Sequence, residues 1–104
     1  MALKKEIKLK TGVKLDYWAV KQVSEFDYHA QSCIIWVLAW VSKKEKDEGS
    51  SYVSEATKKY AVNVQDFNTY FSDEVLQEAG KTVMSQAYAY VSAKDGFFSD
   101  AVSV

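Results

Sequence analysis

Apolar and polar residues alternate from the start of the chain. Ile7 and Leu9 alternate with Lys8 and Lys10, Thr11-Gly12 interrupts, and Val13 and Leu15 then alternate with Lys14 and Asp16. A period of two on either side of a glycine is the mark of two half-buried strands joined by a tight turn. The second strand continues through Tyr17-Trp18-Ala19-Val20-Lys21-Gln22-Val23, with Trp18 and Val20 on one face and Tyr17, Ala19 and Val23 on the other. Apolar side chains on both faces are expected where a strand leaves a solvated edge and enters a core. Ser24 to Gln31 is polar enough for a connection. Ser32 to Val41 makes the central strand, with Ile34, Trp36, Leu38 and Trp40 on one face and Cys33, Ile35, Val37, Ala39 and Val41 on the other. Its β-branched and aromatic content favours a strand over a buried helix at this length. Strands 13–23 and 32–41 are expected to be antiparallel neighbours.

Ser42 to Ser51 holds the charged run Lys43-Lys44-Glu45-Lys46-Asp47-Glu48 followed by Gly49. Mixed-sign charge next to Gly-Ser-Ser predicts a solvated loop, with room for a short helical turn, rather than a ligand site. Tyr52 to Phe71 carries a further β pattern, with Tyr60, Val62 and Val64 facing one way and Lys59, Ala61 and Asn63 the other. Tyr70 and Phe71 would close a last short strand. From Asp73 the period becomes helical. Ser72 is a candidate N-cap with Asp73 and Glu74 in the first turn, where the helix dipole favours negative charge. Val75, Leu76, Ala79, Val83, Met84, Ala87 and Val91 form an apolar stripe. Gly80 lies inside it, so either one helix carries a glycine costing about 1 kcal/mol or two helices meet there, the second capped by Thr82. The break is the preferred reading. Tyr88 and Tyr90 project from different sides of the last helix, and a C-terminal segment, 95–104, follows. The expectation is an α+β fold in a single domain over residues 1–104, with a β region about 4–71 and a helical region about 73–94. It would be a mostly antiparallel sheet of about four to five strands, opened by the N-terminal hairpin, with a C-terminal amphipathic helix packed on it.

Composition narrows the chemistry. A hydrophobic fraction of 48%, an aromatic fraction of 14% and no proline describe a folded chain. The 13 basic residues, all lysine, against 14 acidic ones leave a net charge of −1, which is no nucleic-acid footprint. Lys4, Lys5, Lys8 and Lys10 fit the usual protection of a strand edge against aggregation. The apolar run from Cys33 to Val41 is far short of the roughly 20 residues that span a bilayer. The basic start is not followed by the apolar stretch of a signal peptide. A soluble protein kept in a reducing cytoplasm, or assembled into a particle there, is the expectation, with no membrane partner. Cys33 is the one cysteine and His29 the one histidine, so no His/Cys metal set arises. A Cys33–His29 dyad would need an exposed, electropositive cysteine, whereas Cys33 has apolar neighbours; Asp27 is better placed to orient His29 as a surface pair. Gly12, Gly49, Gly80 and Gly96 are isolated, which excludes a phosphate-binding glycine loop. No catalytic residue, metal ligand or cofactor site is nominated, and the chain is not expected to be an enzyme. Three Trp, seven Tyr and five Phe remain, in excess of what a small core requires. They pack sheets together or mark a contact surface, where Tyr and Trp dominate binding energy.

The two ends of the chain carry a resemblance. Met1-Ala2-Leu3-Lys4-Lys5-Glu6-Ile7-Lys8-Leu9-Lys10-Thr11-Gly12-Val13, with an aromatic at Tyr17, resembles the start of a family of small proteins encoded in the tail modules of tailed phages and prophages of Gram-positive bacteria. Thr82-Val83, Ala87-Tyr88-x-Tyr90-Val91, Phe97 or Phe98, and Ala101-Val102-Ser103-Val104 resemble its ends. The resemblance implies a non-enzymatic structural protein of the virion, in the tail or baseplate, assembled in the host cytoplasm. It implies several symmetric copies, hence a homo-oligomer, and other tail proteins as partners, with no catalytic residue carried over. Under that reading the expected contacts are Trp36 and Trp40 on the central strand, Tyr88 and Tyr90 on the helix, and Phe97 and Phe98 near the end. The hairpin at 5–15 could add its edge to a neighbour's sheet. The alternative is a monomeric ligand- or protein-binding module, with a pocket between sheet and helix lined by Trp18, Trp36 and Met84 and polarised by His29.

Overall fold

Strands β1 (Leu3–Lys8), β2 (Lys14–Asp27), β3 (Ser32–Trp40), β4 (Lys58–Val62) and β5 (Val102–Ser103) form one sheet in the computed structural model, in the order β4-β3-β2-β1-β5. Every pairing is antiparallel. Helix α1 (Lys43–Asp47) and a 3-10 turn at Ser54–Ala56 lie between β3 and β4. Helices α2 (Val64–Tyr70), α3 (Asp73–Leu76) and α4 (Val83–Lys94) follow, and a second 3-10 turn, Gly96–Phe98, leads into β5. The fold is α+β, as the periodicities imply. The structure describes residues 2–94 and 96–103; Met1 and Val104, which belong to the end motifs, and Asp95 of the C-terminal segment lie outside them.

The first hairpin turns where the Thr11-Gly12 interruption predicts. Gly12 adopts φ +92°, a left-handed conformation that side chains disfavour. The turn is closed by the Leu9 N–H to Val13 carbonyl bond at 2.8 Å and the Gly12 N–H to Leu9 carbonyl bond at 2.9 Å. β2 is longer than its hydrophobic pattern suggests. Ser24 pairs with Ile34 and Asp27 with Ser32, so the polar connection shrinks to Tyr28–Gln31. The Asp27 carboxylate closes that turn by accepting the backbone N–H groups of His29 (2.8 Å) and Ala30 (3.2 Å). Between Val20 and Gln22 the register slips by one residue. That bulge at Lys21 reverses the parity of the residues that follow, so Val23 stands opposite Ile35 and packs with Trp18 and Val20, not with Tyr17 and Ala19. A second shift between Ser24 and Asp27 reverses it again, and Phe26 also packs against the main core.

β3 divides its side chains as the sequence implies. Cys33, Ile35, Val37 and Ala39 enter the main core, where they meet Phe67, Phe71, Ala87, Tyr88, Tyr90, Val91 and Phe98. The sequence pattern misassigns residues 64–71 as strand: Val64–Tyr70 form a helix and Phe71 caps its end. Asn63 caps α2 by accepting the Asp66 N–H at 2.8 Å, and Phe67 and Phe71, one helical turn apart, are 1% and 0% exposed. Val64, which alternation placed on one face with Tyr60 and Val62, is exposed. The helical region is broken at Gly80 (φ +80°). α4 then starts from a reciprocal cap: Thr82 Oγ1 accepts the Ser85 N–H at 3.0 Å and Ser85 Oγ accepts the Thr82 N–H at 2.8 Å. The C-terminal segment is a structural element of the sheet. Leu3 pairs with Ser103 and Lys4 with Val102, and Lys5 meets Asp100 at 2.7 Å. β5 thus covers the start of β1 at Leu3 and Lys4, just short of the hairpin at 5–15 whose edge was expected to meet a neighbour.

Candidate interaction face

The face of the sheet opposite the main core is fixed by cross-strand register. Tyr17 lies opposite Trp40, Ala19 opposite Leu38, Gln22 opposite Trp36 and Ser24 opposite Ile34. β4 adds Lys59 opposite Trp36 and Ala61 opposite Ile34, and β1 adds Lys4 opposite Tyr17. Directly opposed residues share a face. Part of this face is a small cluster of its own, Ala2, Ala19, Leu38 and Trp40, with Tyr17 packed against it. Trp40 makes edge-to-face contacts with Tyr17 at 6.4 Å and Tyr52 at 6.3 Å, and Lys46 Nζ lies 5.3 Å from its ring centre. Trp36 stays partly exposed. Its indole N–H donates to Ser24 Oγ at 3.0 Å, and Lys59 Nζ lies 5.1 Å from its ring. The charged residues that these pairings place on the face, Lys4 and Lys59, are both cationic.

Beside this face, an open groove of about 600 Å³ runs along β2 where it passes the start of β1. Tyr17, Ala19, Lys21 and Trp40 line it from the sheet, Lys46 and Ser50 from α1 and the loop after it, and Met84 and Tyr88 from α4. Met84 is 41% exposed. Periodicity does not single out Lys21, Lys46 or Ser50. Their signal is the charged run only a few residues after Trp40, whose return over the strand is a matter of loop geometry.

Of the six aromatic residues expected at contacts, Trp40, Tyr88, Tyr90 and Phe98 are buried at 8%, 6%, 7% and 1% exposure. All four pack within the chain's own fold; Tyr90 and Phe98 are thereby taken from the expected contacts, while Trp40 and Tyr88 keep only the narrow edges that line the groove. The Tyr88 hydroxyl accepts the Val20 N–H at 2.9 Å, and burial raises its pKa. Tyr90 stacks edge-on to Tyr70 at 5.5 Å, and its pKa is raised by burial first and by the Asp66 carboxylate beside it next. Trp36 and Phe97 keep partial exposure. The alternative pocket is not assembled as expected. Trp18 is fully buried and packed edge-on by Phe97 and Phe98 at 5.2 and 5.3 Å, filling that space. Trp36 is on the opposite face and His29 in the exposed β2–β3 turn, so of that set only Met84 lines the groove.

Cys33 is 2% exposed, and burial pushes its thiol up to about 11. A thiol held neutral in an apolar interior is a packing group, not a nucleophile. Among the described residues no three His, Cys, Asp or Glu side chains gather as a metal ion needs, and no helix is long and apolar enough to cross a membrane. Comparison with models of known protein families, with curated proteins and with solved structures gives no match.

Proposed function

We propose that this protein is a non-enzymatic assembly component of a phage tail or baseplate, acting through protein–protein contacts as a homo-oligomer that also touches other tail proteins. The resemblance of the chain's ends supports the setting. The observation that carries the mode of action is the sheet face around Trp36. There a large aromatic ring is held in one orientation by Ser24, flanked by Ile34 and Lys59, and left partly exposed. A preorganised, partly exposed Trp among mixed polar and apolar neighbours is the kind of anchor on which contact energy concentrates. Repeated contacts of this kind close into rings when copies are identical.

Light-scattering mass across a concentration series tests the reading. A defined oligomer is expected for the wild type, and Trp36→Glu should shift it towards monomer while leaving unfolding by urea cooperative. A strict monomer at every concentration removes the homo-oligomer from the proposal. The same mass for wild type and Trp36→Glu removes the Trp36 face. The groove beside β2 favours a second reading, a binding module that works as a monomer.

A further inference from the structure

The groove beside β2 combines an aromatic floor with charge of one sign. The pairing of β1 with β2 starts with Leu3 opposite Trp18, so from Ala19 onward β2 has no strand beside it on that side among the described residues. The Val20 N–H points into this gap and is already satisfied by the Tyr88 hydroxyl at 2.9 Å. What the groove offers an incoming molecule is therefore side chains. The bulge at Lys21 breaks the alternation there, and the Lys21 side chain lines the groove. α1 brings Lys46 to the same groove, over the Trp40 ring. Neither lysine takes part in an ion pair among the described residues, and no carboxylate lines the groove. Met84 leaves two-fifths of its surface in water here, an adaptable apolar side chain suited to a partner's apolar residue.

We propose that this groove docks an extended acidic segment of a partner protein. An apolar side chain of that segment sits between Met84 and Trp40, and carboxylates beside it meet Lys21 and Lys46. Two cations lining a groove with aromatic walls select the partner by charge and register, since complementary potentials steer encounter and suppress wrong partners. The groove is open to solvent and larger than one side chain needs, which suits a stretch of chain. The inference goes beyond the assembly proposal, because it holds whether or not copies of the protein associate.

The test is a titration of the isotopically labelled protein, at low salt, with a blocked hexapeptide of alternating glutamate and leucine, monitored by amide chemical shifts. A matched peptide of alternating lysine and leucine is the control. Saturable shifts are expected at Ala19–Lys21, Lys46–Ser50 and Met84, with none from the lysine peptide. The double variant K21E/K46E should weaken binding at least about fivefold, since each exposed pair contributes modestly. Both lysines are exposed, and the amide spectrum itself reports whether the variant is folded; if it is not, K21Q/K46Q replaces it with the same expected direction. No saturable shift, shifts elsewhere, equal binding of both peptides, or undiminished binding by the lysine variant overturns the proposal. Groove shifts that arise from raising the protein concentration alone assign the site to a second copy and also overturn it.

Discussion

Replacing Phe98 by Ala tests whether the C-terminal segment belongs to the core. Phe98 is 1% exposed, lies edge-on to Trp18 at 5.3 Å and touches Phe97 at 4.8 Å. It is also the residue from which the chain turns into β5, through the Ala101 N–H to Phe98 carbonyl bond at 3.1 Å. Truncating a buried Phe costs about 3–5 kcal/mol, the lost transfer energy plus the cavity left behind. A chain of this length has about 5–15 kcal/mol of stability in total, so the variant loses about a fifth of it or more. With a urea dependence of about 1–3 kcal/mol per molar, the unfolding midpoint falls by about 2 M. Tryptophan fluorescence reads the transition directly, because Trp18 is the ring that loses its partner. Phe97→Ala is the internal comparison. Phe97 is only partly buried, with Lys5 and Lys58 ammonium groups 4.5 and 4.1 Å from its ring, and its truncation should cost about 1–2 kcal/mol. A loss below about 1 kcal/mol for Phe98→Ala, or equal losses for the two variants, would refute the reasoning, since burial is what separates these adjacent residues.

Buried polar groups give two further expected outcomes. Tyr88→Phe removes the hydroxyl that accepts the Val20 N–H and leaves a buried donor unmet, a cost of about 1–3 kcal/mol; hydrogen exchange at the Val20 amide should accelerate together with the fall in stability. Stability should also decline in alkali. The Cys33 thiol is held at about 11 in the folded chain against an ordinary value of 9.0. Between those values the unfolded chain has released a proton that the folded chain retains, so stability is intact below the lower value and falls as pH rises through the upper one, by on the order of 2–3 kcal/mol. Tyr88 and Tyr90, raised in the same direction, add to the decline above their own ordinary range. Cys33→Ala should flatten the first part of the slope in urea unfolding measured from about pH 8 to 11, and an unchanged slope would remove the assignment.

How much of the fold and of the candidate site is legible in the sequence depends on which residues set each feature. β3 can be read because Cys33 to Trp40 is one unbroken apolar run, short for a buried helix and rich in β-branched and aromatic residues. The first turn can be read because Gly12 sits between two runs of strict apolar–polar alternation. α2 escapes the pattern because Tyr60, Val62 and Val64 keep the period of two one residue too far. The competing signal is present, in Asn63 as a cap and in Phe67 and Phe71 four residues apart, but tertiary packing decides which signal wins. β5 escapes for another reason. Two exposed residues, Val102 and Ser103, have no pattern of their own, and they pair only because Phe98 and the Lys5–Asp100 contact bring them beside β1. Of the aromatic side chains nominated as contacts, Tyr88, Tyr90 and Phe98 go inward because a sheet with one layer of short helices fills its core with large rings, while Trp40 is covered on the other face by Tyr17 and Tyr52.

The same extra residue in β2 explains why the candidate groove is invisible in the sequence while the sheet is not. Inserting Lys21 into the ladder turns Val23 towards the core and leaves Lys21 lining the groove, so a single step in register contributes one side chain to packing and another to the surface. The groove then needs Lys46 and Ser50 from a charged loop and Met84 from the first turn of a helix that starts only after Gly80. None of these positions shares a period with another. Periodicity reports how a segment divides between core and water; it carries no information about which solvated side chains of separate segments end side by side. The charged run after Trp40 is a solvated face as far as its own sequence goes, and it becomes part of a groove only because Trp40 gives Lys46 an aromatic ring to lie on.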